Sequence, residues 1–336
     1  MNKLSFPVDI VITWVNQNDP KWYKKYRAYK EGTIKKDEFG RFRDYGTFKF
    51  VFRSIEKYAP WVNHVYLITD DQIPSWINKN YEKLTIIDHK DIIPKKYLPT
   101  FDSNIIEFHI HNIPDLAEHF IYFNDDTFIN NYVEPTDFFD KSGVIKDNLI
   151  LNTLIPGNEP LSVFDHIYVN NLQIINKEFN KKEVLKKNFK KIFNYKNGIW
   201  NMASLYFLPL PRFSRFYDPH VPLAFRISTM KKVLIKYPEI KKMFSNRERK
   251  DTDFSIWLVR YFELLSGEFI PRSIKFSKNY NLTNIKEYKN AIYNHDPSLI
   301  CINEGTTISD KEFDMLTKKL NQIFNKVLPE KSKFEL

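Results

Sequence analysis

Residues 119–126 read HFIYFNDD. Phe120 to Phe123 are all apolar, and Asn124, Asp125 and Asp126 follow at once. A short run rich in β-branched and aromatic side chains predicts a strand buried on both faces. Its end delivers two adjacent carboxylates to one edge of a sheet. Such a pair can hold a divalent cation against a diphosphate, or accept a proton from an attacking hydroxyl. A polar turn capping the strand accounts for the same residues, and the motif alone does not choose.

Three earlier runs repeat the pattern: VDIVITWV (Val8–Val15), HVYLIT (His64–Thr69) and LTII (Leu84–Ile87). Asn16 and Asp19 follow the first, Asp70-Asp71 the second and Asp88-His89 the third. Between the runs lie helical patterns. Phe48–Tyr58 aligns Phe48, Val51, Phe52 and Ile55 on one stripe, and Asn104–Ile113 aligns Ile105, Ile106, His109 and Ile113. Alternating strands and helices predict an α/β fold with a Rossmann-like, mainly parallel sheet over residues 1–150. Ligands of such sheets lie outside the carboxyl ends of the strands, where the polar clusters fall.

Residues 151–336 read as a mostly helical part completing the same domain. Leu185–Trp200 is a Lys-rich helical stretch with interleaved aromatics; it fits an anionic acceptor, a membrane surface or a solvated face. A helical segment runs from Pro222 to near Pro238, and a second from Asp251 to Ser266 with Gly267 as its stop. Asp310–Phe324 reads as a terminal helix followed by a charged tail.

Four more constellations stand near inferred strand ends or helix starts. In DIVITWVNQND, Asp9 is an acid inside an apolar run and needs a partner. Trp14 can stack on a base or ribose, with Asn16 and Asp19 as hydrogen-bonding groups. In RFRDYGTFKFVFR (Arg41–Arg53), Arg43 and Asp44 precede a helix, a natural phosphate site. His220 stands in Asp218-Pro219-His220-Val221-Pro222, held in a stiff loop suited to a base or a phosphate contact. Arg249 and Asp253 lie in RERKDTD ahead of a helix, where a guanidinium can neutralise a phosphoryl group. Structural loops and surface ion pairs explain each of these equally well when taken singly.

Composition sets bounds. The 336 residues suffice for a sizeable core. Lys and Arg total 51 against 41 Asp and Glu, a net charge of +10 that suits anionic partners. The single cysteine, Cys301, excludes an intrachain disulfide and a Cys-based zinc site, and fits a reducing compartment. Without a signal-peptide pattern or a run of ~20 apolar residues, the expected location is cytoplasmic, at most peripheral at the inner face of the cell membrane. Neither a G-x-x-x-x-G-K-S/T loop nor G-x-G-x-x-G nor H-E-x-x-H occurs, which argues against a P-loop kinase, a dinucleotide oxidoreductase and a zincin.

Taken in order, these segments resemble the Stealth family: bacterial capsular and exopolysaccharide phosphotransferases, and the catalytic part of the animal N-acetylglucosamine-1-phosphotransferase. DIVITWVNQND is similar to its first conserved region. RFRDYGTFKF through HFIYFNDD is similar to the second, YDPHVPLAFR to the third and RERKDTDFSIWLVRYF to the fourth. Gln17-Asn18 stand where the family's first region usually has Gly-Ser or Gly-Thr. The resemblance implies a glycosyltransferase-A-like fold and transfer of a hexose-1-phosphate from UDP-N-acetylhexosamine to an oligo- or polysaccharide hydroxyl. A divalent cation, Mg2+ or Mn2+, would sit on Asp125 and Asp126. Asp125, Asp126, His220 and Arg249 would be catalytic, with Asp253 orienting Arg249. Asp9, Trp14, Asn16, Asp19, Arg43, Asp44, Asn124 and Asp253 would shape the nucleotide-sugar site. No nucleic acid is expected as a partner, because acids at the strand ends repel a phosphate backbone.

Overall fold

A computed structural model describes residues 4–29, 42–156, 162–304 and 308–336. Its centre is a sheet of β1 (Val8–Thr13), β2 (Val65–Thr69), β3 (Leu84–Asp88) and β4 (His119–Asn124), all parallel, in the order β3-β2-β1-β4. Ile10, Val11, Ile12, Val65, Leu67, Phe120 and Phe123 have essentially no solvent exposure, as continuous apolar runs covered on both faces must. The mainly parallel α/β architecture is the one the strand pattern predicts.

Leu223–Arg226 closes the sheet antiparallel to β4, with Phe225 opposite Phe120. This corrects the expected helix from Pro222 to Pro238, whose helical part is Ile227–Lys236. Leu223, Ala224 and Phe225 are buried, so pairing at the open edge of β4 outweighs helix propensity there. Three other helices also differ from expectation. Ser103–Phe108 is α-helical, capped by the Asp102 side chain, and passes into a short turn at Ile110–Asn112 instead of running on to Ile113. The last helix of the predicted site region starts at Trp257, not Asp251, because the Asp253 carboxylate folds residues 250–253 into a turn by accepting from Lys250 N–H. The Lys-rich stretch is helical only at Lys181–Ile192; Gly198 then takes φ +52°, and a separate helix spans Trp200–Tyr206.

Beyond β4 the chain turns through Asp125-Asp126 into β5 (Thr127–Ile129). β5 pairs antiparallel with Leu299–Asn303, which runs parallel to Ser277–Asn281. Cys301 stands opposite Thr127, and Ile302 N–H donates to the Asp126 carbonyl at 3.0 Å. This second sheet brings a C-terminal strand against the acidic turn.

The terminal helix spans Asp310–Val327, and the segment after it is not a free charged tail. Phe334 packs at 5.2 Å from Phe52, and Glu335 accepts from Arg53 Nε and Nη2, both at 2.8 Å. Phe324 stacks on Phe50 at 5.3 Å. The helix Phe48–Tyr58 is therefore buried nearly all round instead of along one stripe. Among the described residues, no helix is long and apolar enough to cross a membrane.

Candidate active site

A cleft of about 930 Å³ opens at the carboxyl ends of β1, β2 and β4. Trp14, Arg43, Asn124, Asp125, Asp126, His220 and Arg249 all line it, although they come from five separate stretches of sequence. Five other predicted site residues do not reach it. Asp9 lies at the opposite end of β1 from Thr13, fully buried, where its carboxylate accepts from Asn63 Nδ2 and Ala117 N–H, both at 2.8 Å. It ties β1 to the chain entering β2 and β4, which answers its need for a partner. Asn16 is clamped by Gln72 through both backbone groups, each bond 2.8 Å. Asp19 caps a helix start by accepting from Trp22 N–H at 2.8 Å. Asp44 accepts from Gly46 N–H at 2.8 Å. Asp253 is fully buried and accepts from Asn246 Nδ2 at 2.6 Å. Arg41 lies outside the described residues.

The acidic turn is the electrostatic centre. Burial, together with the charges of Asp126 and Asp44, pushes the Asp125 carboxyl well above the usual carboxylate range. His220 Nε2 lies 3.7 Å from Asp126 Oδ2 and 3.2 Å from Asn124 Nδ2. Burial works to lower the imidazole pKa, but Asp126 outweighs it, and the net shift is upward. Asp126 Oδ1 is buried and has no hydrogen-bond partner among the described residues.

Cys301 Sγ joins this group: one ligand atom each from Asp126, His220 and Cys301 lie within 4.8 Å of one another. A single cysteine builds no Cys-rich site, yet here it adds a sulfur to a mixed donor set. Burial pushes its thiol well up, and Asp126 adds to the shift. Nothing in the apolar strand LICIN marks Cys301 for this position; only the pairing with β5 puts it there.

The guanidinium of Arg249 forms the facing wall. It donates to Ser103 Oγ at 2.5 Å, lies 3.5 Å from Asp102 Oδ1 and covers the Phe164 ring at 4.5 Å. Asp102, and not Asp253, is thus the carboxylate beside it. Arg43 reaches the cleft mouth already paired, with Asp310 at 2.6 Å and Glu304 at 3.3 Å. Trp14 stacks flat on Phe48 at 5.4 Å, and its buried indole N–H has no partner among the described residues.

The His220 loop is set from below. Arg260, fully buried, donates to Asp147 at 2.6 and 3.0 Å and to Asp218 Oδ1 at 3.0 Å. Tyr261 OH donates to Asp218 Oδ2 at 2.6 Å. Asp218 is two residues from His220, so this network fixes where the imidazole stands.

Comparison with known proteins decides the family. The family models for Stealth protein CR1, conserved region 1, and CR2, conserved region 2, match residues 6–33 and 41–147. The exopolysaccharide phosphotransferase cps2G of Lactiplantibacillus plantarum is 46% identical over 331 residues, 98% of this chain and 96% of that protein. The chain belongs to the Stealth family of phosphotransferases. Other relatives match over as much of their length. The capsular polysaccharide phosphotransferase WcwK of Streptococcus pneumoniae is 41% identical over 98% of both chains. The receptor polysaccharide phosphotransferase WefC of Streptococcus oralis is 36% identical over all of both. Among solved structures, the galactosyltransferase LgtC aligns over 93% of this chain and 95% of its own, at 11% identity and a TM-score of 0.38.

Glu107 is an acid of the cleft that no motif above singles out. Glu107 lines the wall between His220 and Arg249, accepting from Tyr122 OH at 3.1 Å. Burial pushes its carboxyl up to about 7 against the opposing pull of Arg249 and Tyr122. An acid embedded in the apolar stretch NIIEFH was its available signal.

Proposed function

We propose that this cleft moves a hexose-1-phosphate from UDP-N-acetylhexosamine to a hydroxyl of an oligo- or polysaccharide acceptor. The acceptor oxygen bonds to the phosphorus next to the hexose, the bond from that phosphorus to the bridging oxygen breaks, and UMP departs with that oxygen. A sugar–phosphate–sugar diester remains. The observation that carries this reading is the meeting of His220, Asp126 and Arg249 in one cleft. Phosphoryl transfer asks for little covalent chemistry from a protein; it asks for in-line positioning and for cover over oxygen charge.

In this reading His220, its basicity raised by Asp126, takes the acceptor's proton. Arg249, braced by Ser103 and Asp102, faces the transferred phosphoryl oxygens. Trp14 offers the cleft an indole N–H that has no partner among the described residues. Asp125 and Asp126 would hold a divalent cation, Mg2+ or Mn2+. The fit rests on the buried Asp126 Oδ1, unpartnered among the described residues, and on two adjacent half-buried carboxyls. Such an ion would supply positive charge opposite the diphosphate. The Cys301 sulfur beside it is a donor that suits Mn2+ better than Mg2+.

Incubation with UDP-N-acetylglucosamine and an acceptor glycan, followed by nucleotide analysis, tests the reading. UMP together with a phosphodiester-linked product is the expected result. Release of UDP overturns it in favour of an ordinary glycosyltransferase.

A further inference from the structure

The segment 195–210 leaves an apolar ridge uncovered. Tyr195, Ile199, Met202, Leu205 and Tyr206 are between 61 and 87% exposed. One face of the helix Trp200–Tyr206 is anchored: Ser204 is buried and its hydroxyl accepts from Leu151 N–H, and Trp200 packs on Tyr217 at 5.2 Å. At 100° per residue, Met202, Leu205 and Tyr206 fall on the opposite face. Large apolar side chains grouped on one exposed face mark an interaction surface, whereas scattered ones do not.

The charge around the ridge identifies its partner. Residues 181–217 carry nine Lys or Arg and a single acid, Glu183. Lys182, Lys186 and Lys190 are exposed, as is Phe189 beside them. Lys181 donates to the carbonyls of Phe207 and Leu210, so the ridge is fastened to the basic helix at its far end. A second copy of this chain docking by the same face would set two basic segments against each other.

We infer that this ridge seats in the interfacial layer of an anionic lipid bilayer. Ile199, Met202 and Leu205 enter the acyl boundary, Tyr195 and Tyr206 lie at headgroup depth, and the lysines meet lipid phosphates. Trp200 packs on Tyr217, three residues from His220, so the docked face adjoins the wall of the cleft that carries His220.

Co-sedimentation of the whole chain with vesicles tests this, using phosphatidylcholine alone and phosphatidylcholine mixed with phosphatidylglycerol. Binding is expected on the mixed vesicles only, weakening as salt rises. Ile199→Glu with Leu205→Glu should cut the bound fraction by about tenfold or more. Lys182→Glu with Lys186→Glu should do the same without touching the apolar side chains, and unchanged thermal melts would confirm that both variants fold. Absence of wild-type binding to mixed vesicles at low salt overturns the inference. So does binding unchanged in both variants, or a wild-type dimer that Ile199→Glu with Leu205→Glu splits while vesicles go unbound. No sugar donor enters the test, so its outcome is separate from that of the transferase reading.

Discussion

Glu107 carries a proton that its unfolded form would release. Its carboxyl rises from 4.5 to about 7 because burial disfavours the charged state more than Arg249 and Tyr122 favour it. The folded chain therefore binds more protons than the unfolded chain between those values, and stability falls as pH rises from 4.5 through 7. The full shift corresponds to about 3 kcal/mol. Glu107→Gln removes the titration but keeps an acceptor for Tyr122. Its melting temperature relative to wild type should climb between pH 5 and pH 8; an equal difference at both pH values would contradict the assignment. His220→Ala should lower turnover of UDP-N-acetylhexosamine by about 10²–10⁴-fold, with circular dichroism unchanged. Near-wild-type turnover would remove His220 from the proton-transfer role.

Elements decide which side chains become neighbours. The loop 217–221 has no regular structure of its own to position His220. Its place comes from Asp218, held by Arg260 and Tyr261, with Arg260 also bridging to Asp147. Burial alone would raise the Asp147 carboxyl, but the Arg260 guanidinium outweighs it and holds the group below the usual range. Arg260→Ala would leave Asp147 and Asp218 buried without their cation. The expected loss is about 3–5 kcal/mol in urea unfolding. A cost below about 1 kcal/mol would show that the network does not hold the loop. The helix start at Trp257 has a related cause. Asp253, placed by its sequence as a helix-start residue near Arg249, spends its carboxylate on the preceding turn and leaves Asp102 to brace the guanidinium.

At the scale of the whole molecule, the chain's end supports its beginning. Phe334 is 3% exposed against Phe52, and Glu335 pairs with both Nε and Nη2 of Arg53. Phe334→Ala should cost about 3–5 kcal/mol, read as a lowered melting temperature. An unchanged melt would mean that the tail is dispensable.

What the sequence determined by itself was the parallel sheet and seven of the residues that line the cleft. Runs such as IVIT and FIYF have no polar face, so they are stable only when covered on both sides, and the polar residues after them must then emerge at one edge. His220 and Arg249 were legible as candidates because their residue types and loop settings suit phosphate chemistry. Three things were decided only by tertiary structure. Asp9 looked like a site residue, but its end of β1 faces away from the cleft, and direction along a strand appears only once the sheet is assembled. Cys301 and Glu107 were not singled out as site residues, because contact across β5 and across the Ser103–Phe108 helix spans distances in sequence that no local pattern encodes. Arg226 closes the sheet in a strand that reads locally as helix, because an open edge beside β4 rewards pairing more than intrinsic propensity rewards a turn of helix.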